Sequence, residues 1–162
     1  MYRTTRALTQ SFHFDHHTLS RQYPPLKRAF DVTAAVLGIV ALSPILAVLA
    51  VAVKLDSPGP VLYRGVRVGV NGSRFKMLKF RTMVTNAEQL GGSSTPEDDP
   101  RITKVGKFLR SYKLDELPQL LNVVAGDMSF VGPRPQVEWA VALYTEEERR
   151  VLAVRPGITD YA

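Results

Sequence analysis

Val32-Thr33-Ala34-Ala35-Val36-Leu37-Gly38-Ile39-Val40-Ala41-Leu42-Ser43-Pro44-Ile45-Leu46-Ala47-Val48-Leu49-Ala50-Val51-Ala52-Val53 runs for 22 residues without a charge, between Asp31 and Lys54. A helix needs about 20 apolar residues to cross a bilayer, so length permits a span. A cleaved signal peptide fits less well, because the run exceeds the usual h-region. Ser43-Pro44 falls at its middle, where proline removes a backbone donor and crowds the preceding turn. A neighbouring serine can satisfy the freed carbonyl, which makes a bend tolerable in lipid. Both flanks are basic: Lys27 and Arg28 before the run, then Lys54, Arg64 and Arg67 after it. The positive-inside tendency keeps both on one side. Two topologies remain open at this point, a helix that bends at Ser43-Pro44 and returns, and a proline-kinked span.

Upstream, residues 1–25 are polar and irregular and read as a flexible leader. His13, His16 and His17 have no carboxylate or cysteine at metal-ligand spacing nearby. Downstream, Ser57-Pro58-Gly59-Pro60 closes the apolar segment. Two strands are expected, one from Val61-Leu62-Tyr63-Arg64 and one from Arg74 to Phe80. Asn71-Gly72 between them signals a hairpin, since both residues tolerate positive φ. Lys76, Lys79 and Arg81 are candidates to line an anion site, although solvated basic side chains are the commoner explanation. Gly91-Gly92-Ser93-Ser94-Thr95-Pro96 reads as a loop, followed by Glu97-Asp98-Asp99-Pro100. From Arg101 a helical pattern places Arg101, Lys104, Lys107, Arg110 and Lys113 on a drifting basic stripe. It is either a solvated face or a contact for phosphates or an anionic membrane surface.

Leu114-Asp115-Glu116-Leu117-Pro118-Gln119-Leu120-Leu121-Asn122-Val123 carries the chemistry. Asp115 suits an N-cap and Pro118 a first helical turn, and spacing alone favours that structural reading. The chemical reading stands beside it. A helix N-terminus attracts phosphate, a carboxylate there can act as nucleophile when cations screen the anions, and adjacent carboxylates can share magnesium. Arg110 lies five residues upstream. In Pro133-Arg134-Pro135 the two prolines fix the backbone around a guanidinium suited to bidentate phosphate contact; the simpler alternative is a rigid turn.

Composition narrows the classes. The chain has 162 residues, a net charge of +6 and no cysteine. One domain with an appendage fits that length. Disulfide frameworks, thiolate metal sites and cysteine nucleophiles are excluded. The charge favours anionic partners, but no nucleic-acid-binding motif is present and such a role leaves the apolar run unexplained.

From about Pro25 to Ala162 the chain resembles the bacterial sugar transferases, the monotopic phosphoglycosyl transferase family. The matching strings are Lys27-Arg28-Ala29-Phe30-Asp31, Ser43-Pro44, Phe80-Arg81-Thr82-Met83 and Asp99-Pro100-Arg101-Ile102-Thr103. Then come Leu114 to Leu120, Gly126 to Pro135, and Arg155-Pro156-Gly157-Ile158-Thr159. Each string is short; their order and spacing carry the resemblance. After the leader over 1–25, it implies an α-rich α+β fold: a re-entrant membrane anchor over 26–56, and a cytoplasmic catalytic domain over 57–162 with a β-hairpin and interfacial helices. Because Asp160 and Tyr161 stand where many members have glycine and tryptophan, and members usually continue further, truncation at Ala162 is expected.

The resemblance also implies an activity: transfer of a sugar 1-phosphate from a UDP-sugar to undecaprenyl phosphate, releasing UMP, on the cytoplasmic face of a bacterial inner membrane. By the same resemblance Asp115 is the nucleophile and Glu116 assists through magnesium or proton transfer. Arg110 and Arg134 hold phosphates, with Lys79 and Arg81 as further anion contacts, and Pro133-Arg134-Pro135 lies near the nucleotide. Lys27, Arg28 and Asp31 fix the membrane end of the helix, and Ser43-Pro44 bends it. Phospholipids surround the anchor; a homo-oligomer is compatible with this picture and nucleic acid is not a partner. The rival is a non-catalytic membrane-associated interaction module.

Overall fold

The uncharged run forms most of one helix, α1, from Pro25 to Asp56, in a computed structural model that describes residues 24–90, 96 and 99–160. The expected leader up to residue 23, its three histidines, the 91–95 loop and Glu97-Asp98 lie outside the described residues. Pro25 opens the helix where no donor is lost. At Pro44 the helix continues without a break, and the Ser43 hydroxyl donates to the Val40 carbonyl at 2.8 Å, the local back-bond available to serine in a helix.

One face of α1 carries Leu26, Phe30, Leu37, Val40, Val48, Val51 and Leu55, all exposed. At 1.5 Å per residue that apolar stripe is about 44 Å long. Among the described residues only 11% of the most apolar part of α1 is buried, so the rest of the described fold leaves most of it uncovered. The other face docks on two apolar clusters. Ala35, Ile39 and Leu42, before Pro44, pack with Phe75, Met77, Leu120, Val123 and Met128. Leu46, Leu49, Ala50 and Val53, after it, pack with Phe80 and Leu109.

Polar contacts fasten both ends of α1. At the start, Asp31 is 1% exposed, pairs with Lys27 at 3.2 Å and accepts from the Ser129 hydroxyl at 2.9 Å. Arg28 donates to the Val123 and Val124 carbonyls at 2.6 and 2.9 Å. At the end, the Asp56 carboxylate accepts from the Val105 amide at 3.0 Å, and Lys54 donates to the Gly59 carbonyl at 3.0 Å.

Strands β1 (Leu62–Val68) and β2 (Arg74–Phe80) pair antiparallel, Leu62 opposite Phe80 and Val68 opposite Arg74. Asn71 and Gly72 take φ of 53° and 76°, as the Asn-Gly pair requires. The connection runs from Gly69 to Ser73 with a 3-10 turn inside it, longer than a two-residue hairpin. Phe75 and Met77 are buried on one face of β2, and period two puts Lys79 on that face as well.

After a short α2 (Ala87–Leu90) comes α3 (Lys104–Ser111). The Thr103 hydroxyl caps it, accepting from the Gly106 amide at 3.0 Å. Helix α4 (Gln119–Ala125) ends at Gly126, whose φ of 95° suits a residue without Cβ. A parallel pair, β3 (Ser129–Val131) and β4 (Gly157–Thr159), flanks α5 (Glu138–Val141). The mixed helix-and-strand class matches the sequence reading; the parallel pair was not anticipated.

The basic stripe does not form as read. The helix starts at Lys104, not Arg101. Arg101 instead folds back onto Asp99 at 2.6 Å, and the pairing pushes the Asp99 carboxyl down to about 2. Arg110 turns inward, leaving Lys104, Lys107 and Lys113 exposed.

Candidate functional site

Asp115 and Glu116 lie in a 3-10 turn, Leu114–Glu116, between α3 and α4. Lys113 enters it with a left-handed φ of 55°, uncommon for a residue with a Cβ. Neither this turn nor α4 has a side-chain cap, and the residue preceding α4 is Pro118. The capping reading of Asp115 is therefore corrected: its carboxylate is left for other work. It is buried, with 9% of the residue exposed.

Glu116 Oε1 is held between two cations, Lys79 Nζ at 2.6 Å and Arg134 Nη2 at 2.9 Å. Lys79 arrives from the inner face of β2. Arg134 arrives from the loop after β3, which is stitched on both sides: Gly157 N–H donates to the Pro133 carbonyl at 3.0 Å, and Val68 N–H to the Gln136 carbonyl at 2.9 Å. Gly132 and Gly157 make that crossing possible. A Cβ on Gly132 would lie 2.3 Å from the Arg155 carbonyl oxygen, and one on Gly157 2.2 Å from Gly132 N.

The two carboxylates are tuned apart. Burial pushes the Asp115 carboxyl above its usual range and the Glu116 charge adds to this, while Lys79, Arg110 and the residue's own amide oppose it. Burial also acts to raise Glu116, but the hydrogen bond and charge of Lys79 and the charge of Arg134 outweigh it and hold Glu116 low. The site thus pairs a firmly ionised carboxylate with one whose anion is destabilised, the more basic and more reactive of the two.

The strand-end motif Phe80-Arg81-Thr82-Met83 divides its labour. Thr82 Oγ1 accepts from Arg110 Nε at 3.0 Å, orienting the guanidinium whose charge reaches Asp115. Arg81, expected at the anion site, is elsewhere. It is 5% exposed and donates to the carbonyls of Pro58 at 2.7 Å, Ser57 at 2.6 Å and Val53 at 3.3 Å. Its charge is spent on the end of α1, where the helix leaves carbonyls without partners.

Lys27, Arg28 and Asp31 hold the start of α1 to α4 and β3. A cleft of about 610 Å³ opens beside Glu116, with Ala34, Gly38 and Leu42 of α1 on one wall and Lys113 and Arg134 on another. Its mixed lining was not read from sequence, because Lys113 and α1 are remote along the chain.

Among the described residues no three His, Cys, Asp or Glu side chains converge to hold a metal alone. The pair nevertheless fits magnesium, which is bound through one or two carboxylates with water and substrate phosphates completing its shell. With Oε1 of Glu116 engaged by two cations, its other oxygen and the Asp115 carboxylate are the donors that remain.

Comparison with known proteins matches residues 22–162 to a family described as bacterial sugar transferase. The UDP-glucose:undecaprenyl-phosphate glucose-1-phosphate transferase of Escherichia coli is 46% identical over 144 residues, 85% of this chain and 30% of that protein. The UDP-N-acetylgalactosamine-undecaprenyl-phosphate N-acetylgalactosaminephosphotransferase of Aeromonas hydrophila is 43% identical over 143 residues, 86% of this chain and 34% of that protein. Exopolysaccharide production protein ExoY of Sinorhizobium fredii is 44% identical over 148 residues, 82% and 66%. The chain therefore spans about a third of the first two relatives and two thirds of the last.

Proposed function

The chain belongs to the bacterial sugar transferase family, and we propose that it transfers a sugar 1-phosphate from a UDP-sugar to undecaprenyl phosphate, releasing UMP, as the first membrane step of glycoconjugate or exopolysaccharide assembly. The observation that carries this is a buried, hard-to-ionise Asp115 next to a Glu116 clamped by Lys79 and Arg134. The relatives' names supply the donor and acceptor classes.

In this reading an Asp115 carboxylate oxygen attacks the β-phosphorus of the donor. An Oδ–P bond forms, the P–O bond to the bridging oxygen breaks, and UMP leaves with the electron pair. A phosphate oxygen of the lipid then attacks the same phosphorus, and Asp115 departs as carboxylate. Splitting the transfer means that nucleotide and lipid need not share the site. Arg110 and Arg134 neutralise the diphosphate, and Lys79 keeps Glu116 ionised. Magnesium, held by Asp115 and Glu116, would screen the repulsion between carboxylates and diphosphate.

The membrane anchor is proposed to re-enter, leaving both flanks on the cytoplasmic face of the inner membrane. Supporting this, Arg28 near the start of α1 bonds to α4, and Asp56 at its end bonds to the first turn of α3. One polar body thus grips both ends, and the exposed stripe from Leu26 to Leu55 is left for phospholipid.

Donor labelled in the sugar should mark the protein before any lipid is added, and Asp115→Asn should abolish the mark. A folded, active preparation that never takes up label, with kinetics requiring a ternary complex, would overturn the covalent step.

A further inference from the structure

Asn122 is a polar residue in the middle of α4, 3% exposed, with the buried apolar residues Leu120 and Val123 near it in the helix. Among the described residues, strand β2 has a strand partner on one edge alone. On its other edge the Asn122 carboxamide stands in for a strand: Oδ1 accepts from the Leu78 amide at 2.9 Å, and Nδ2 donates to the Lys76 carbonyl at 2.9 Å. The remaining N–H reaches Asp127 Oδ2 at 3.2 Å. Below it, the Asn122 carbonyl accepts from the amides of Gly126, Asp127 and Met128. Every hydrogen-bonding group of this side chain is therefore committed, and the amide orientation is dictated by the strand.

We infer that Asn122 is a positioning residue, locking the register of β2 against α4 so that Lys79 meets the Asp115–Glu116 turn. The next residue after Leu78 is Lys79, whose ammonium sits 2.6 Å from Glu116. The carboxamide grips the backbone on the near side of that lysine, and the 3-10 turn runs into α4 through Pro118. Strand and turn are thus tied together at one residue. A slip of one position would turn Lys79 to the opposite face of β2. This inference rests on the reading of Asp115 and Glu116 as the reacting pair.

Lys79 reaches the Glu116 carboxylate from β2 and Arg134 reaches it from the loop after β3, so loosening β2 at Asn122 draws the first cation away and leaves the second in place. Asn122 then acts on turnover through Lys79. An asparagine that only stabilised the fold would lower the amount of active protein by the same factor whether or not Lys79 is present.

The test uses the whole chain in bilayer nanodiscs, with Asn122→Ala, Asn122→Ser, Lys79→Met and the Asn122→Ala/Lys79→Met double variant. Cooperative melting scores folding, nitrogen NMR of the lysine side chains follows the Lys79 ammonium directly, and turnover is taken per folded protein. Both Asn122 variants should move the Lys79 signal towards that of a solvated lysine and lower turnover, and the double variant should lose no more than Lys79→Met alone. An unmoved Lys79 signal, full additivity, or failure of both Asn122 variants to fold would overturn the inference. If the Lys79 signal moves while turnover does not, Asn122 positions Lys79 as inferred, and the role given to the acidic pair fails instead.

Discussion

Asp115 and Glu116 are adjacent in sequence, yet their surroundings treat them oppositely. Glu116 is stabilised as an anion by two cations, whereas the Asp115 anion is destabilised by burial and by its neighbour. The second fact has a cost in stability whose pH window follows from its sign. Below the ordinary carboxylate range near 3.8, Asp115 is protonated in both folded and unfolded chains and the cost is absent. It is complete once pH exceeds the raised folded value. Asp115→Asn should therefore raise the melting temperature at neutral pH while reducing sugar-phosphate transfer to background, and that gain should vanish by about pH 3. Melting scans across pH would show it; a variant less stable at pH 7 would contradict the burial argument. The pair itself was legible in sequence, as were Arg110 and Arg134. Lys79 was legible through alternation, since Phe75, Met77 and Lys79 share a face. Asn122 was not given a role, because a polar residue in a seven-residue helix shows its strand partner only once β2 is beside it.

At the scale of elements, α1 is attached to the rest of the fold through the backbone carbonyls at its end. Arg81 supplies the donors. Its replacement by methionine keeps the bulk but leaves the carbonyls of Val53, Ser57 and Pro58 short of a partner. With charge-assisted hydrogen bonds worth about 1.5–3 kcal/mol each and partial rescue by water, Arg81→Met should destabilise by roughly 3 kcal/mol. Chemical denaturation would measure this, and a loss below about 1 kcal/mol would return Arg81 to the list of anion contacts. Arginine in Phe-Arg-Thr-Met looked like a ligand because sequence cannot reveal which way a side chain turns. The hairpin was readable, since Asn71-Gly72 must take positive φ somewhere. The pairing of β3 with β4 was not. Each strand has three residues, and the match depends on two distant glycines whose missing side chains let backbones touch. The basic stripe failed for a local reason: the turn at Asp99-Pro100 captures Arg101 before the helix begins.

For the whole molecule, the arrangement of α1 on the polar part of the fold decides how the protein can sit in a membrane. A straight helix of 32 residues is about 48 Å long, against about 30 Å for the hydrocarbon core. If α1 ran straight across, Arg28 and Asp56 would stand at opposite surfaces. Helices α3 and α4, bonded to those two ends, would then be drawn through the bilayer together with Lys79, Arg110 and Glu116. Charged groups at that depth are costly, and a water-soluble nucleotide could not reach them. A helix that dips in and returns, with the Ser43 back-bond supporting Pro44, keeps both the contacts and the charges at the aqueous face. The native chain has no cysteine, so Ser11→Cys and Ser73→Cys report the two sides of α1 separately. In intact cells neither should react with a membrane-impermeant thiol reagent, while both should react once the membrane is opened. Labelling of only one of them in intact cells would mean that α1 spans, and the grip of one body on both its ends would then have to be broken in the membrane.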